Sequence, residues 1–254
     1  MRIDGRENNE IRKAEIIPNY IKCAEGSAFI SIGDTRVICT ASVEDKVPQF
    51  LKNTGQGWLA CEYGMLPRSA STRIIRDINT GRPSGRSQEI QRMIGRAIRA
   101  VTDLYAFGER TIWIDCDVIE ADGGTRTASI TAGFVAFAIA ANWLYTQKLA
   151  KTFIVNNFIA AISAGIIQNQ NILDMSFHED SKADVDFNMA LSGNGQIIEI
   201  QSSAEHTPFT HDQMNGLIDL AKSGISQLIK IQKTVLKPIL QEECYLKATQ
   251  NCTL

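Results

Sequence analysis

A glycine-rich turn between a predicted strand and a predicted helix carries the groups best suited to bind an anion. Residues 122–129 read Asp-Gly-Gly-Thr-Arg-Thr-Ala-Ser. Adjacent glycines free the backbone to expose successive N–H groups, and the first N–H groups of a helix have no partner inside it. The hydroxyls of Thr125, Thr127 and Ser129 and the guanidinium of Arg126 lie beside them. The turn therefore predicts a phosphate site. The alternative is a tight turn with a hydroxyl cap, and the spacing matches neither a Walker loop nor a dinucleotide fingerprint.

Three aspartates farther along the chain have the spacing of a site for a hard cation. Asp180, Asp184 and Asp186 lie between a predicted strand that ends near residue 177 and one that begins near residue 185. Carboxylates that converge from a loop and a strand hold a divalent cation and leave positions for phosphate oxygens and water. Asp184 and Asp186 also share one face of an extended strand. The alternative is a set of acids that protects a strand edge from aggregation.

The charges of the chain are segregated, although they nearly cancel overall. The 254 residues carry a formal charge of −2. Eight arginines and two acids between residues 68 and 99 give a local balance of +6, whereas seven acids and one lysine at residues 174–205 give −6. Arginine without lysine favours bidentate recognition of phosphate. Together with the two sites, this pattern predicts phosphoryl transfer on a polyanion. The nucleophile is a small molecule, because no Ser-His-Asp order stands out.

Composition indicates an intracellular globular protein. With 44% apolar and 21% charged residues, the chain is neither disordered nor fibrous. The first ten residues lack the apolar segment of a secretory signal, and the longest apolar run, residues 132–141, is too short to span a membrane. Six cysteines without a Cys-X-X-Cys pair occur in apolar or alternating runs. We therefore expect buried, reduced thiols and a cytoplasmic location.

Periodicity places these features in one mixed α/β domain. Predicted strands at residues 27–32 and 35–43 flank a Gly-Asp hairpin turn, and an irregular loop at 67–85 precedes a helix with Ser87 as its N-cap. The remaining predictions are strands at 58–63, 111–119, 158–168, 172–177, 185–191 and 196–201, and helices at 127–145 and 210–236. This order favours mixed sheets over a doubly wound parallel sheet. Residues 238–254 are predicted to be an appended tail.

Motifs spread over most of the chain closely resemble those of the ribonuclease PH family. The resemblance extends from Met1 to about Lys237 without large gaps, and so many long motifs in one order are highly specific. The segments that carry it are residues 2–9 (Arg-Ile-Asp-Gly-Arg-Glu-Asn-Asn), 24–27, 33–35, 55–58, 62–68 (Glu-Tyr-Gly-Met-Leu-Pro-Arg), 89–92, 115–118, 121–129 and 208–211.

The resemblance implies a phosphorolytic 3′-to-5′ exoribonuclease, a transfer RNA nucleotidyltransferase that trims the 3′ extension of transfer RNA precursors and acts in ribosomal RNA turnover. Inorganic phosphate attacks the terminal phosphodiester and a nucleoside diphosphate leaves, while the reverse reaction adds nucleotides. The partners implied are transfer RNA precursors and other RNA 3′ ends, with no DNA and no membrane. The implied fold is α+β: two mixed βαβ-rich sheets around central helices with a left-handed crossover, assembled as a homohexamer, a trimer of dimers.

The resemblance also gives roles to individual residues. Asp180 and Asp186 match the catalytic acids, which hold Mg²⁺ or Mn²⁺, and Asp184 is a further candidate ligand. The residues that match the phosphate site are Arg86, Gly124, Thr125 and Arg126, with Ser129 as a weaker candidate. Pro83 stands where a glycine commonly occurs, which leaves the guanidinium of Arg86 in place.

A second set of arginines is assigned to RNA binding or assembly. Arg68, Arg73 and Arg76 match the family's loop arginines, and the basic face of the following helix adds Arg92, Arg96 and Arg99.

Two other functions stay open at this point. A non-catalytic RNA-binding ring subunit of the same fold would need the arginines but not both the phosphate turn and the acids. A hydrolytic nuclease would release nucleoside monophosphates without added phosphate.

Overall fold

A computed structural model describes residues 2–76, 79, 81–82 and 84–254. Asp77, Ile78, Thr80 and Pro83, all within the predicted loop at 67–85, lie outside the described residues. The expectation concerning Pro83 is therefore not addressed by the structure.

The first half of the chain forms a five-stranded sheet with the order β1-β2-β3-β5-β4. Its strands are β1 (Ala14–Pro18), β2 (Gly26–Ile32), β3 (Thr35–Glu44), β4 (Trp58–Met65) and β5 (Thr111–Glu120). Strand β1 pairs antiparallel with β2, β2 with β3, and β3 with β5, whereas β4 runs parallel to β5. Helix α1 (Gly85–Arg99) connects these two parallel strands. The predicted hairpin between β2 and β3 is confirmed, with Ile32 opposite Thr35 and Gly33 at a φ of 57°.

The second half forms a four-stranded antiparallel sheet with the order β7-β6-β8-β9. Its strands are β6 (Ile159–Ile167), β7 (Gln170–Leu173), β8 (Val185–Ser192) and β9 (Ile197–Ala204). Helix α4 (His211–Leu236) packs on β6 and β7, and its capping box at Thr210 and Gln213 is the one that the sequence predicts. The described residues thus form the mixed α+β fold with two sheets that the motifs imply.

Helix α2 (Thr125–Thr146) joins the two sheets, because it packs on β2 and β3 of the first and β6 of the second. Its length and apolar composition would suit a membrane span, but 89% of its most apolar stretch is buried inside the protein. A Cβ atom at Gly26 would overlap the carbonyl oxygen of Ala136, so strand and helix approach as closely as glycine permits. The N-terminus of this buried helix therefore has a fixed position.

The sequence places some element boundaries wrongly. Helix α1 begins two residues before Ser87, and the side chain of Ser84 is its N-cap, accepting from the Ser87 amide at 3.0 Å. Periodicity could not show this start because Gly85 and Arg86 add no apolar residue to the helical stripe. The predicted strand at 172–177 ends at Leu173, because Asp174 adopts a left-handed φ of 49°. Helix α3 (Phe177–Asp180) follows, and the sequence prediction omits it.

Two further elements have no prediction. Strand β1 is a short edge strand of mixed pattern that contains a proline. Helix α5 (Glu242–Thr249) lies in the predicted tail, and its Cys244 is fully buried. The Tyr245 ring meets Phe158 edge-on at 6.5 Å, so these residues belong to the packed core. All six cysteines are free thiols; Cys39, Cys116 and Cys244 are buried as expected, whereas Cys61 and Cys252 are half-buried and Cys23 is exposed.

Candidate active site

A cavity of about 1030 Å³ lies where the start of α2 faces α3 and β8. It brings together residues that are far apart in the chain. The predicted site residues that line it are Arg76, Arg86, Gly124, Thr125, Arg126, Asp180 and Asp186. The predicted anion-binding turn and the predicted acidic pair therefore form one site.

The glycine-rich turn has a backbone that only glycine adopts freely. Gly123 and Gly124 have φ values of 78° and 66°, and Gly124 is the N-cap of α2. A Cβ atom at Gly123 would overlap the carbonyl oxygen of Met175. The Thr125 hydroxyl lies 2.9 Å from the phenol oxygen of buried Tyr63. The first N–H groups of α2 and the helix dipole thus face the cavity in a fixed frame, which suits an anion.

The buried guanidinium of Arg12 supports this turn from below. It donates to the carbonyl oxygens of Asp122 and Gly123 and, at 2.7 Å, to the carboxylate of Asp174. Burial opposes the charge of Arg12, but the hydrogen bonds and negative charges of Asp174 and Asp122 together outweigh burial and raise the pKa of Arg12. Arg12 therefore stays charged and holds the carbonyl side of the turn.

Asp180 and Asp186 lie together on the opposite side of the cavity. Asp180 is the last residue of α3, and Asp186 is the second residue of β8. The Asp186 carboxylate accepts a hydrogen bond from the side-chain amide of Asn188 at 3.0 Å. Burial raises the pKa of both carboxyl groups, and the charge of Asp186 raises that of Asp180 further. Asp180 has an exposed surface, yet the cavity walls still shield its carboxylate from part of the solvent. The site thus holds two carboxylates that repel each other.

Helix α3 is fixed by a second buried arginine. Arg2 binds Glu179 with two hydrogen bonds of 2.7 Å, and Glu179 closes a capping box with Ser176. Arg2 also donates to the carbonyl oxygens of Leu173 and Asp174. Since Asp180 follows Glu179 directly, this ion pair sets the position of Asp180.

Arg126 lies in the first turn of α2 and lines the cavity together with the acidic pair. It donates to the side chain of Gln201 at 3.1 Å, and Gln201 donates to Glu89 at 3.0 Å, which links α2, β9 and α1. Its charge lowers the pKa of Asp180 and Asp186 and partly offsets their burial. The guanidinium of Arg86 has the same effect on both acids. Arg126 and Arg86 therefore neutralise the acidic pair and remain available to an anion.

Two predicted ligands do not reach the cavity. Ser129 is fully buried, and its hydroxyl donates to the Thr125 carbonyl at 2.8 Å, because a helical serine readily bonds to the preceding turn. Asp184 precedes β8 and accepts from the Gln168 amide at 3.2 Å, so its carboxylate serves the turn between β6 and β7. Neither residue lines the cavity, so phosphate binding by Ser129 and metal binding by Asp184 remain predictions that this arrangement does not favour.

The arginines assigned to RNA or assembly are dispersed. Only Arg76 of this set lines the cavity among the described residues. Arg68, Arg73 and Arg92 are exposed, and Arg96 is paired with Glu199 at 2.5 Å. The Arg99 guanidinium donates to the Leu59 carbonyl and lies 4.7 Å from the centre of the Trp58 ring. Arg96 and Arg99 thus have intramolecular partners that helix periodicity could not show.

The acidic pair fits the way in which proteins bind magnesium. The described residues contain no group of three or more His, Cys, Asp or Glu side chains arranged around one metal position. Magnesium is commonly held by one or two carboxylates together with substrate phosphates and waters, and not by an all-protein cage. Two neighbouring carboxylates beside an anion-binding turn are therefore a suitable donor set.

Sequence reasoning missed the residues that position this site. Arg2, Arg12, Asp174 and Glu179 lack a local pattern, because the ion pairs of Arg2 with Glu179 and of Arg12 with Asp174 join positions more than 150 residues apart. Of these four residues only Arg2 lies in one of the family-like motifs, and that membership carries no role by itself. Asp117 was also missed; it lines the cavity, and burial raises its pKa.

Comparison with known proteins agrees with this geometry. The model of the 3′ exoribonuclease family, domain 1, matches residues 10–141, and that of domain 2 matches residues 157–224. Ribonuclease PH of Moorella thermoacetica is 52% identical over 239 residues, covering 94% of this chain and 96% of the relative. Ribonuclease PH of Bacillus cereus strain AH820 is 50% identical over 241 residues, covering 94% and 98%.

Solved structures of similar fold include archaeal exosome chains and a rice protein. An Archaeoglobus fulgidus exosome with RNA bound to the active site includes a chain with a TM-score of 0.76 and 24% identity, covering 90% of this chain and 91% of that one. Rice (Oryza sativa) Rrp46 has a TM-score of 0.75 and 18% identity, covering 92% and 100%. These likenesses concern the fold. The family models and the ribonuclease PH relatives show that this chain belongs to the 3′ exoribonuclease family and is similar to ribonuclease PH over nearly its whole length.

Proposed function

We propose that this chain is a phosphorolytic 3′-to-5′ exoribonuclease, a phosphate-dependent transfer RNA nucleotidyltransferase, and that the cavity is its active site. One observation carries the proposal: an anion-binding turn, the two arginines Arg86 and Arg126 and a carboxylate pair all line one cavity. The names of relatives at 50% identity or more support the activity. Its substrates are the 3′ ends of transfer RNA precursors and of other RNAs.

The turn and the arginines provide the phosphate site. Backbone N–H groups at Gly124 and Thr125, with the guanidinium groups of Arg86 and Arg126, hold inorganic phosphate in line with the scissile bond. A phosphate oxygen attacks the phosphorus of the terminal phosphodiester. The bond from that phosphorus to the preceding 3′-oxygen breaks, a nucleoside diphosphate leaves, and the shortened RNA keeps a 3′-hydroxyl. Fixed cations around the reacting phosphates stabilise the charge that develops there.

Asp180 and Asp186 are the residues that would hold Mg²⁺ or Mn²⁺. The cation, when bound, supplies further neutralisation of phosphate oxygens. The protein's own contribution is to keep the two carboxylates together despite their repulsion. Arg126 does this from within the cavity, and the Arg2–Glu179 pair does it from behind α3.

A homohexameric ring built as a trimer of dimers and a cytoplasmic location complete the proposal. Exosome assemblies among the structures of similar fold support ring assembly. Exposed Arg68, Arg73 and Arg92 are available either to a neighbouring subunit or to RNA. Free cysteines are compatible with a reducing compartment.

A product assay tests the proposed reaction. Purified protein is incubated with a transfer RNA that carries a short 3′ extension, with magnesium, and with or without phosphate. We expect nucleoside diphosphate to appear only when phosphate is present. Nucleoside monophosphate without phosphate would show a hydrolytic nuclease instead. RNA binding without any product would show the non-catalytic ring subunit.

A matched pair of variants localises the reaction. Asp180→Asn removes one carboxylate charge of the acidic pair, whereas Asp184→Asn makes the same chemical change at a carboxylate outside the cavity. We expect loss of diphosphate release only in the first variant. Equal loss in both would contradict the assignment of the acids.

A further inference from the structure

Phe177 gives the cavity an aromatic surface that the proposed phosphorolysis does not use. The residue is 60% exposed and lines the same cavity as Asp180, Asp186 and Arg126. Burial of a phenylalanine ring lowers the free energy because it removes apolar surface from water. A ring that is exposed beside the cavity obtains this free energy only when a bound partner covers it. The adjacent charged groups call for a partner that is apolar on one side and anionic on the other.

The backbone beneath this ring is held firmly. The Phe177 amide donates to the Asp122 carboxylate at 3.0 Å, and an added Cβ atom at Gly123 would lie 3.1 Å from the Phe177 nitrogen. Helix α3 is further fixed by the capping box and by the ion pair of Arg2 with Glu179. The ring is therefore exposed but is carried by the same frame that positions the anion-binding turn.

The spacing of Phe177 from the acidic pair suits one nucleotide. Phe177 begins α3 and Asp180 ends it, so the two side chains are three residues apart and share a helix face. One helical turn advances about 5 Å. A nucleotide joins a planar base to a phosphate through a single sugar. A phosphate held beside Asp180 consequently brings an adjacent base within reach of Phe177.

Other residues add apolar surface to the cavity. Met65, Leu66 and Ile75 also line the cavity, and Leu66 and Ile75 are 38% and 60% exposed. The cavity thus offers apolar surface as well as the anion-binding turn and the acidic pair, and a nucleotide has both an apolar base and an anionic phosphate.

We propose that Phe177 is a stacking platform for a nucleobase that flanks the scissile phosphate. This inference rests on the proposed phosphorolysis and adds the group that recognises the base. Stacking on an aromatic ring is tolerant of sequence because every base presents a π-face. Phe177 therefore holds RNA ends of any sequence in register with the phosphate site.

Substitutions at Phe177 separate the ring from simple apolar packing. Phe177→Leu keeps an apolar side chain but removes the ring, whereas Phe177→Trp keeps a ring. At saturating phosphate, we expect KM for RNA to rise about 5- to 100-fold in the leucine variant and to stay near the wild-type value in the tryptophan variant. KM for phosphate stays unchanged in both. Equal behaviour of leucine and phenylalanine would overturn the proposal.

An RNA that lacks single bases tests stacking directly. Two oligonucleotides each carry one abasic residue: on the 5′ side of the scissile phosphate in the first and on the 3′ side in the second. In the wild-type enzyme, at least one of them should lose as much affinity as Phe177→Leu loses with intact RNA. The leucine variant should show no further loss with that oligonucleotide. Additive losses with both oligonucleotides would mean that Phe177 acts through something other than these bases.

The same assay distinguishes this inference from the proposed function. Failure of the wild-type protein to release diphosphate from intact RNA would overturn the proposed phosphorolysis, and base stacking with it. Phosphate-dependent release by wild type, combined with no effect of Phe177→Leu, would overturn only the role of Phe177.

Discussion

Arg2 and Arg12 are 7% and 6% exposed, and each binds a buried carboxylate, whereas Arg86 and Arg92 lie at the surface. The buried pair already has its partners inside the protein. Arg2 donates hydrogen bonds to Glu179, and Arg12 donates to Asp174 and to the carbonyls of the glycine-rich turn. Arginine type alone therefore does not identify a substrate ligand; exposure and existing partners decide.

The two sets also differ in what their loss leaves behind. Removing a surface arginine returns its partner to water, which costs little. Removing Arg12 or Arg2 leaves a buried carboxylate with only a longer ion pair to Arg6, at 3.6 Å for Asp174 and 3.7 Å for Glu179, which is costly. We therefore expect the buried set to control stability and site geometry, and the exposed set to control binding of phosphate and RNA.

The largest expected effect is on stability and comes from Arg12→Met. Asp174, which is 2% exposed in the structure, would then lose its main hydrogen-bond partner, the Arg12 guanidinium. The free energy of unfolding, measured by urea denaturation, should fall by about 3–5 kcal/mol. The matched control is Arg92→Met at an exposed position, which should change stability by less than about 0.5 kcal/mol. Similar losses in both variants would remove the distinction between the two sets.

Arg126→Ala should give the largest loss of activity with a sound fold. Its guanidinium faces the cavity and makes a single side-chain hydrogen bond, to Gln201, among the described contacts. We expect kcat/KM for phosphate to fall about 10²- to 10³-fold, as when one preorganised donor to a developing charge is removed. The unfolding free energy serves as control and should change by less than about 1 kcal/mol. A normal KM and kcat for phosphate would exclude Arg126 from the phosphate site.

The contributions of Glu179 and of the two cavity acids to the free energy of unfolding should change with pH in opposite directions. Burial opposes ionisation of Glu179, but the hydrogen bonds from Arg2 and the Ser176 backbone, together with the charges of Arg2 and Arg6, outweigh burial and lower the pKa of Glu179 below the ordinary 4.5. The unfolded state then binds more protons, so this stabilisation is complete above about pH 4.5 and is lost as pH falls through the lowered pKa. Asp180 and Asp186 have raised pKa values, so their ionisation reduces stability as pH rises through those values.

Urea denaturation over a range of pH separates these contributions. Glu179→Gln should lower stability by about 1–3 kcal/mol at neutral pH. It should also flatten the decline of stability on acidification below about pH 4.5. Asp180→Asn should instead leave that decline in place and slightly raise stability at neutral pH, because a repelling charge is gone. The opposite order of these two profiles would contradict the roles given to the two carboxylates.

The smallest effect is expected at the exposed arginines of the loop. Arg73→Gln should weaken RNA binding only modestly and reduce the slope of log affinity against log salt by about 0.7, if the guanidinium neutralises one phosphate of a single strand. RNA affinity measured at several salt concentrations provides the slope. An unchanged slope, together with a change in assembly state by light scattering, would assign Arg73 to subunit contacts.

Local pattern was sufficient to predict the chemistry of the site. Glycine pairs, hydroxyls and Arg126 lie in one segment of eight residues, and Asp180 and Asp186 lie in another. Because each segment is short, chain order alone brings its members together. The same locality explains the correct hairpin, the buried helix α2 and the capping box of α4.

The support of the site could not be predicted because it depends on long-range pairing. Arg12 meets Asp174 across 162 positions, and Arg2 meets Glu179 across 177. Periodicity carries no information about such pairs. Nor could the sequence show that the Ser129 hydroxyl points back and donates to the Thr125 carbonyl one turn earlier.

A phosphate titration of the initial rate, with wild type, Arg126→Ala and Asp180→Asn in parallel and RNA binding measured in the same preparations, tests both halves of the site at once. We expect a raised KM for phosphate in Arg126→Ala, and loss of turnover with nearly normal RNA binding in Asp180→Asn. Release of nucleoside diphosphate by Asp180→Asn at the wild-type rate would show that the anion-binding turn and the acidic pair do not form one active site.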